Sequence, residues 1–161
     1  MLMRRKEGQG LIMEKGKFMG MLISLLIVSL FSGCGAERPA GLGVKDGRFS
    51  PCPASPNCVS SQSEDEKHRI DPLRFTSTPE EAMNRLKEIV RSMKRTTVIR
   101  ETPDYLYVEF RTFLGFVDDV EFYVDESRRV IQMRSASRRG YSDLGVNRRR
   151  METIREEFGK R

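Results

Sequence analysis

Tryptophan is absent from the 161 residues, histidine occurs once, as His68, and cysteine three times. A single imidazole removes the usual Ser–His pair and the histidine-rich zinc sites, which need a positioned base or several nitrogen ligands. No apolar run reaches the ~20 residues that a helix needs to cross a bilayer; the longest extends only from Phe18 to Phe31. No glycine-rich cofactor loop, internal repeat or low-complexity segment is present. The formal net charge is +6, but half of it lies in residues 1–33, where Arg4, Arg5, Lys6, Lys15 and Lys17 face only Glu7 and Glu14. A basic total without a basic face does not make a nucleic-acid binder, and none is expected here.

What is present begins with an address. Basic residues ahead of a short apolar core read as a secretory signal, starting at Met1 or at Met13. The junction "SGCG" places small residues around Cys34. It resembles the lipobox of bacterial lipoproteins, in which a diacylglycerol is attached to the cysteine and everything before it is removed. Phe31 stands where leucine is commoner, and an uncleaved membrane anchor is the alternative. The resemblance implies a signal peptide over 1–33, a lipid (detectable with palmitate) on Cys34 and a membrane as partner. It also implies a lipid-anchored place in the cell envelope, facing the periplasm or the exterior. Gly35, where an aspartate would favour inner-membrane retention, leans toward the outer membrane. Residues 34–49, with glycines and a proline and no periodicity, read as a flexible tether, and 50–161 as a single domain.

The remaining cysteines stand in "SPCPASPNCVSS". In an oxidising compartment Cys52 and Cys58 form an even pair, and a disulfide is the economical reading. Pro53 and Pro56 supply turns. Thiol chemistry at Cys58 and a weak metal site with His68 are the alternatives; no metal and no cofactor is expected.

"IDPLRF" (70–75) reads as a short edge strand, since Pro72 has no N–H for a ladder. In "TSTPEEAMNRLKEIVRSM", Thr78 is placed as N-cap, Pro79 at N1 and Glu81 at N3 of a capping box. Ala82, Leu86, Ile89 and Met93 recur at helical spacing. Four runs of alternating polarity follow at 96–100, 105–112, 117–124 and 129–137, joined by the short turns "ETPD", "FLGF" and "DESR". Such turns specify an antiparallel meander. "NRRRMETIREEF" is a second helix, with Asn147 as cap and Met151, Ile154 and Phe158 as its apolar stripe. The expected fold is α+β: an antiparallel meander sheet in the order β-α-β-β-β-β-α, with two helices on one face.

Two blocks, "SPCPASPNCVSS" and "GFVDDVEFYVDESRRVIQMRSASRRGYSDLGVNRRRMETIR", together resemble the domain-of-unknown-function family 1499, from about Phe49 to Arg155. The resemblance implies no activity, and His68 lies outside its motifs.

Two constellations invite a functional reading. Asp119, Glu121 and Tyr123 share one strand face and Asp118 the other; with a tight "DESR" turn, Asp119 is expected opposite Arg134 and Glu121 opposite Gln132. These charges form either a wet outer face or a cleft. "RSASRRGYSDLGVNRRR" is the denser cluster. Arginines at a helix start oppose its dipole unless something negative sits there. Arg134, Ser135, Ser137, Arg138, Tyr141, Asn147 and Arg148 are therefore the candidate anion-binding residues. The functional expectation is a non-catalytic binding or accessory domain of the envelope that recognises an anionic ligand or an envelope protein. No catalytic residue is assigned. The alternative is a hydrolase using Asp119, Glu121 and Tyr141, or Cys58.

Overall fold

A computed structural model of the chain describes residues 37–160; the leader and Cys34 lie outside the described residues. In chain order the elements are β1 (Val44–Lys45), β2 (Arg48–Phe49), β3 (Cys58–Ser60), β4 (Leu73–Arg74), α1 (Pro79–Ser92), β5 (Thr96–Glu101), β6 (Tyr105–Arg111), β7 (Val117–Asp125), β8 (Val130–Ser137) and α2 (Val146–Gly159). Helix α1 begins as its sequence requires. Thr78 Oγ1 accepts from the Glu81 N–H, and the Glu81 carboxylate accepts from the Thr78 N–H. This reciprocal box satisfies two N–H groups that the helix start leaves open.

Strands β5 to β8 form the antiparallel meander, and the sheet order is β3-β8-β7-β6-β5. The short strands β3 and β4 share the free edge of β8: Cys58 lies opposite Ala136, and Leu73 opposite Ile131. Alternation along each strand decides the two faces. Leu106, Val108, Val120, Phe122, Ile131 and Met133 point inward, where they pack with Ala82, Leu86 and Val90 of α1 and Met151, Ile154 and Phe158 of α2. Both helices thus cover one face, and the core lies between them and the sheet. Among the described residues no helix is long and apolar enough to cross a membrane.

Three expectations are corrected. Residues 37–49 are not a free tether. They fold as a β1–β2 hairpin laid on the outer sheet face, where Phe49 packs with Tyr105 and Tyr107 beside Leu42 and Val44. The β7–β8 register is two residues from that expected: Glu121 faces Arg134, and Asp119 faces Ala136. The turn is longer than a tight one. The Asp125–Val130 pair closes a four-residue loop in which the Asp125 carboxylate accepts from Ser127 Oγ and the Arg128 N–H. Finally, Gly145, in the left-handed region at φ 76°, occupies the N-cap position of α2. The Asp143 carboxylate takes the N–H groups of Gly145 and Asn147, so Asn147 is inside the helix, its side chain buried.

Candidate functional site

The outer face carries a buried ionic ladder. Arg138 donates from Nε to both oxygens of Asp119 (3.1 and 2.9 Å), and from its NH2 nitrogen to Glu109 (2.5 Å) and Tyr107 (2.9 Å). The side chains of Arg138, Glu109 and Asp119 are all at most 5% exposed. One strand pair along, Glu121 accepts from Arg134 (3.1 Å), the Tyr105 hydroxyl (2.8 Å) and the Gly43 N–H (2.6 Å). Arg38 closes over Glu109 at 2.7 Å. Arg134 Nε is buried without a hydrogen-bond partner among the described residues. Burial raises the Glu109 carboxyl, but hydrogen bonds from Arg138 and Arg38 outweigh it and hold the group below the ordinary range. The Tyr105 and Tyr107 phenols are pushed up, first by burial and then by Glu121 and Asp119 respectively. The hydrogen bond to Asp119 raises Arg138 further.

A second ladder sits on the inner face. Asp118 accepts from Ser137 Oγ (2.5 Å) and Arg150 (2.6 Å), and the Arg150 guanidinium lies 4.7 Å above the Phe110 ring. The Asn147 side chain joins Ser135, Ser137, Arg150 and the Asn57 carbonyl.

The seven expected anion-binding residues therefore do not converge. Arg134 and Arg138 serve the outer ladder, Ser135, Ser137 and Asn147 the inner one. Arg148 binds the carbonyls of Arg69 and Lys67, and Tyr141 stands exposed on the loop after β8. Strand alternation sends neighbouring residues to opposite sheet faces, both of them covered here, and so separates 134 and 138 from 135 and 137. The hydrolase constellation fares no better. Asp119 and Glu121 are committed to arginines and tyrosines beneath the N-terminal hairpin. Cys58 is bonded to Cys52, with Cα atoms 5.6 Å apart. His68 is buried, with Nδ1 2.8 Å from the Cys58 carbonyl, where it holds the loop in place.

The feature with no architectural use lies at one end of the sheet. The β6–β7 loop, residues 112–116, is closed by two backbone hydrogen bonds: the Thr112 N–H donates to the Phe116 carbonyl and the Gly115 N–H to that of Thr112. Hairpin turns usually display Asn, Asp or Gly; this one displays Phe113, 89% exposed, and Leu114. The loop 138–145 beside it presents Tyr141, 76% exposed, and Leu144, 83% exposed. Leu144 also has φ 54°, a conformation costly for a residue with a branched side chain. It is fixed there by Ser142, which accepts from its N–H, and by Arg149, which donates to its carbonyl. Between the loops runs an apolar groove of about 380 Å3, lined by Phe113, Leu114, Phe116, Leu144 and Val146 among others. Lys94, Arg95, Arg111, Arg139 and Arg149 are exposed around this end.

A family model described as a protein of unknown function (DUF1499) matches residues 48–158. The chain belongs to this family. Among curated proteins none matches it. The matched span of this DUF1499 domain includes both ladders, the disulfide and the two apolar loops, but stops short of Arg38 and Gly43. Sequence reading singled out 134–150, which holds the second loop with Tyr141, but missed the first, with Phe113 and Leu114. Its signal was available: "FLGF" puts three large apolar residues into a two-strand turn, where burial is least attainable.

Proposed function

We propose that this DUF1499 domain is a non-catalytic binding module of the cell envelope, anchored by a lipid on Cys34, and that the loop pair 112–116 and 138–145 is its surface for an anionic ligand or partner. The observation that carries this reading is the strained, exposed Leu144 beside Phe113 and Leu114, ringed by arginines. Each large apolar side chain left in water forgoes about 1.5–3 kcal/mol of burial, and contiguous exposed apolar patches mark interaction surfaces. The basic rim supplies the preference for negative charge. The expected position in the envelope is the periplasmic or exterior face of a membrane, with the outer membrane favoured.

Two measurements test it. Palmitate labelling of cells should mark the protein and be lost in Cys34→Ser; label surviving that substitution removes the anchor from the account. A photo-crosslinking residue in place of Phe113 should give adducts in intact envelopes, whereas the same residue in place of Ser127, at the far end of the sheet, should not. No adduct at 113, or equal adducts at both positions, contradicts the reading.

A further inference from the structure

Resting on that reading, we infer that the occupant of the loop pair is an anionic lipid bilayer, the membrane to which the chain is itself tethered. The apolar tips Phe113, Leu114, Tyr141 and Leu144 enter the boundary between headgroups and acyl chains, and the exposed arginines meet the phosphates.

The end point of the described chain favours this occupant over a protein. Arg38 is bonded to Glu109, two residues before the loop end of β6 at Arg111. From there the chain runs away from that end, reaching Glu121 at Gly43 and Gln62 at Phe49. Cys34 is four positions before Arg38, a stretch that spans no more than about 14 Å. A lipid on Cys34 therefore holds the loop end, not the far end, against the bilayer. The chemistry of the two ends agrees. The far turns, 102–104 and 126–129, are polar, with Arg128 and Arg129 beside Asp104 and Glu126, and none of the exposed large apolar side chains among the described residues lies there. The loop end has the aromatic and aliphatic tips of an interfacial anchor, with cations set back from them at headgroup level. Phe113, Leu114, Phe116, Leu144 and Val146 line the groove beside the tips, together with Asp118, Arg139 and Asp143, so its apolar part is continuous with the inserting surface. A diacylglycerol on Cys34 supplies two acyl chains and so holds the protein at the membrane; the loop pair adds a second contact that fixes the orientation of the domain there.

The absence of native tryptophan makes the test direct. The full chain, carrying Phe113→Trp or Ser127→Trp, is reconstituted into vesicles of phosphatidylcholine alone or mixed with phosphatidylglycerol, with brominated acyl chains as quencher. Phe113→Trp is expected to shift to the blue and to be quenched in the mixed vesicles, less so in phosphatidylcholine or at high salt. Ser127→Trp should stay unquenched in both. Adding Arg139→Ala should lower the ratio of docked to undocked protein about fivefold, the equivalent of one headgroup contact near 1 kcal/mol. If Phe113→Trp is unquenched by lipid, yet position 113 cross-links to an envelope protein, the lipid inference fails and the binding reading stands. If it neither quenches nor cross-links, both fail. Equal quenching at 113 and 127 overturns the orientation.

Discussion

Arg38 and Glu109, 71 positions apart in sequence, meet at 2.7 Å, and the same Glu109 oxygen also accepts from Arg138 at 2.5 Å. One carboxylate thus ties the segment leading into the N-terminal hairpin, the strand β6 and the start of the loop after β8. The arginine that looks most like a ligand contact in the sequence is a structural part.

Arg138→Met should therefore act on stability. It leaves Asp119 and Glu109 buried without their shared countercharge, a loss of about 3–5 kcal/mol. The denaturant midpoint should fall accordingly, while Phe113→Ser, at a solvated tip, leaves it nearly unchanged. An unaltered midpoint for Arg138→Met would return that residue to a role in ligand contact.

Much of the fold was legible in the sequence. The capping box at Thr78 and Glu81, the period-2 runs of β5 to β8 and the stripe Met151, Ile154 and Phe158 are local patterns with local causes. The hairpin over the outer face was not legible, because its partners Glu109 and Glu121 lie more than 70 residues away and its own residues have no period. The arginine cluster misled for a related reason. Neighbours in "RSASRR" look like one site in the chain, but the pleat sends them to opposite faces of the sheet.

The ionic ladders set the pH limits. Tyr105 and Tyr107 are raised by burial and by their carboxylate partners. A pKa higher in the folded than in the unfolded chain gives stability that is complete below about pH 10 and lost as pH rises above it. Tyrosinate absorbance should show these two phenols ionising only with alkaline unfolding. Glu109 is displaced downward, so its contribution is present above about pH 4.3 and lost as pH falls through its lower folded value. Glu109→Gln should flatten that acid limb. A delayed phenol step that persists when Tyr105 and Tyr107 are both changed to Phe would contradict the assignment.

The Cys52–Cys58 bridge closes a loop with a sequence separation of only 6, which limits its effect to about 2 kcal/mol. Replacing both cysteines by serine should lower stability by that amount and expose residues 51–57 to protease. The β8 edge should survive, because β3 remains paired with it from Cys58 to Ser60. Loss of the sheet signal on reduction would show that the bridge organises more than its own loop.

The most direct test of the account is amide hydrogen exchange on the unmodified full chain, compared between neutral detergent micelles and vesicles containing phosphatidylglycerol. Docking through the loop pair predicts added protection in the vesicles at 112–116 and 138–145, with 102–104 and 126–129 unchanged. Unchanged exchange in both loops, or protection gained at the far turns instead, would contradict it.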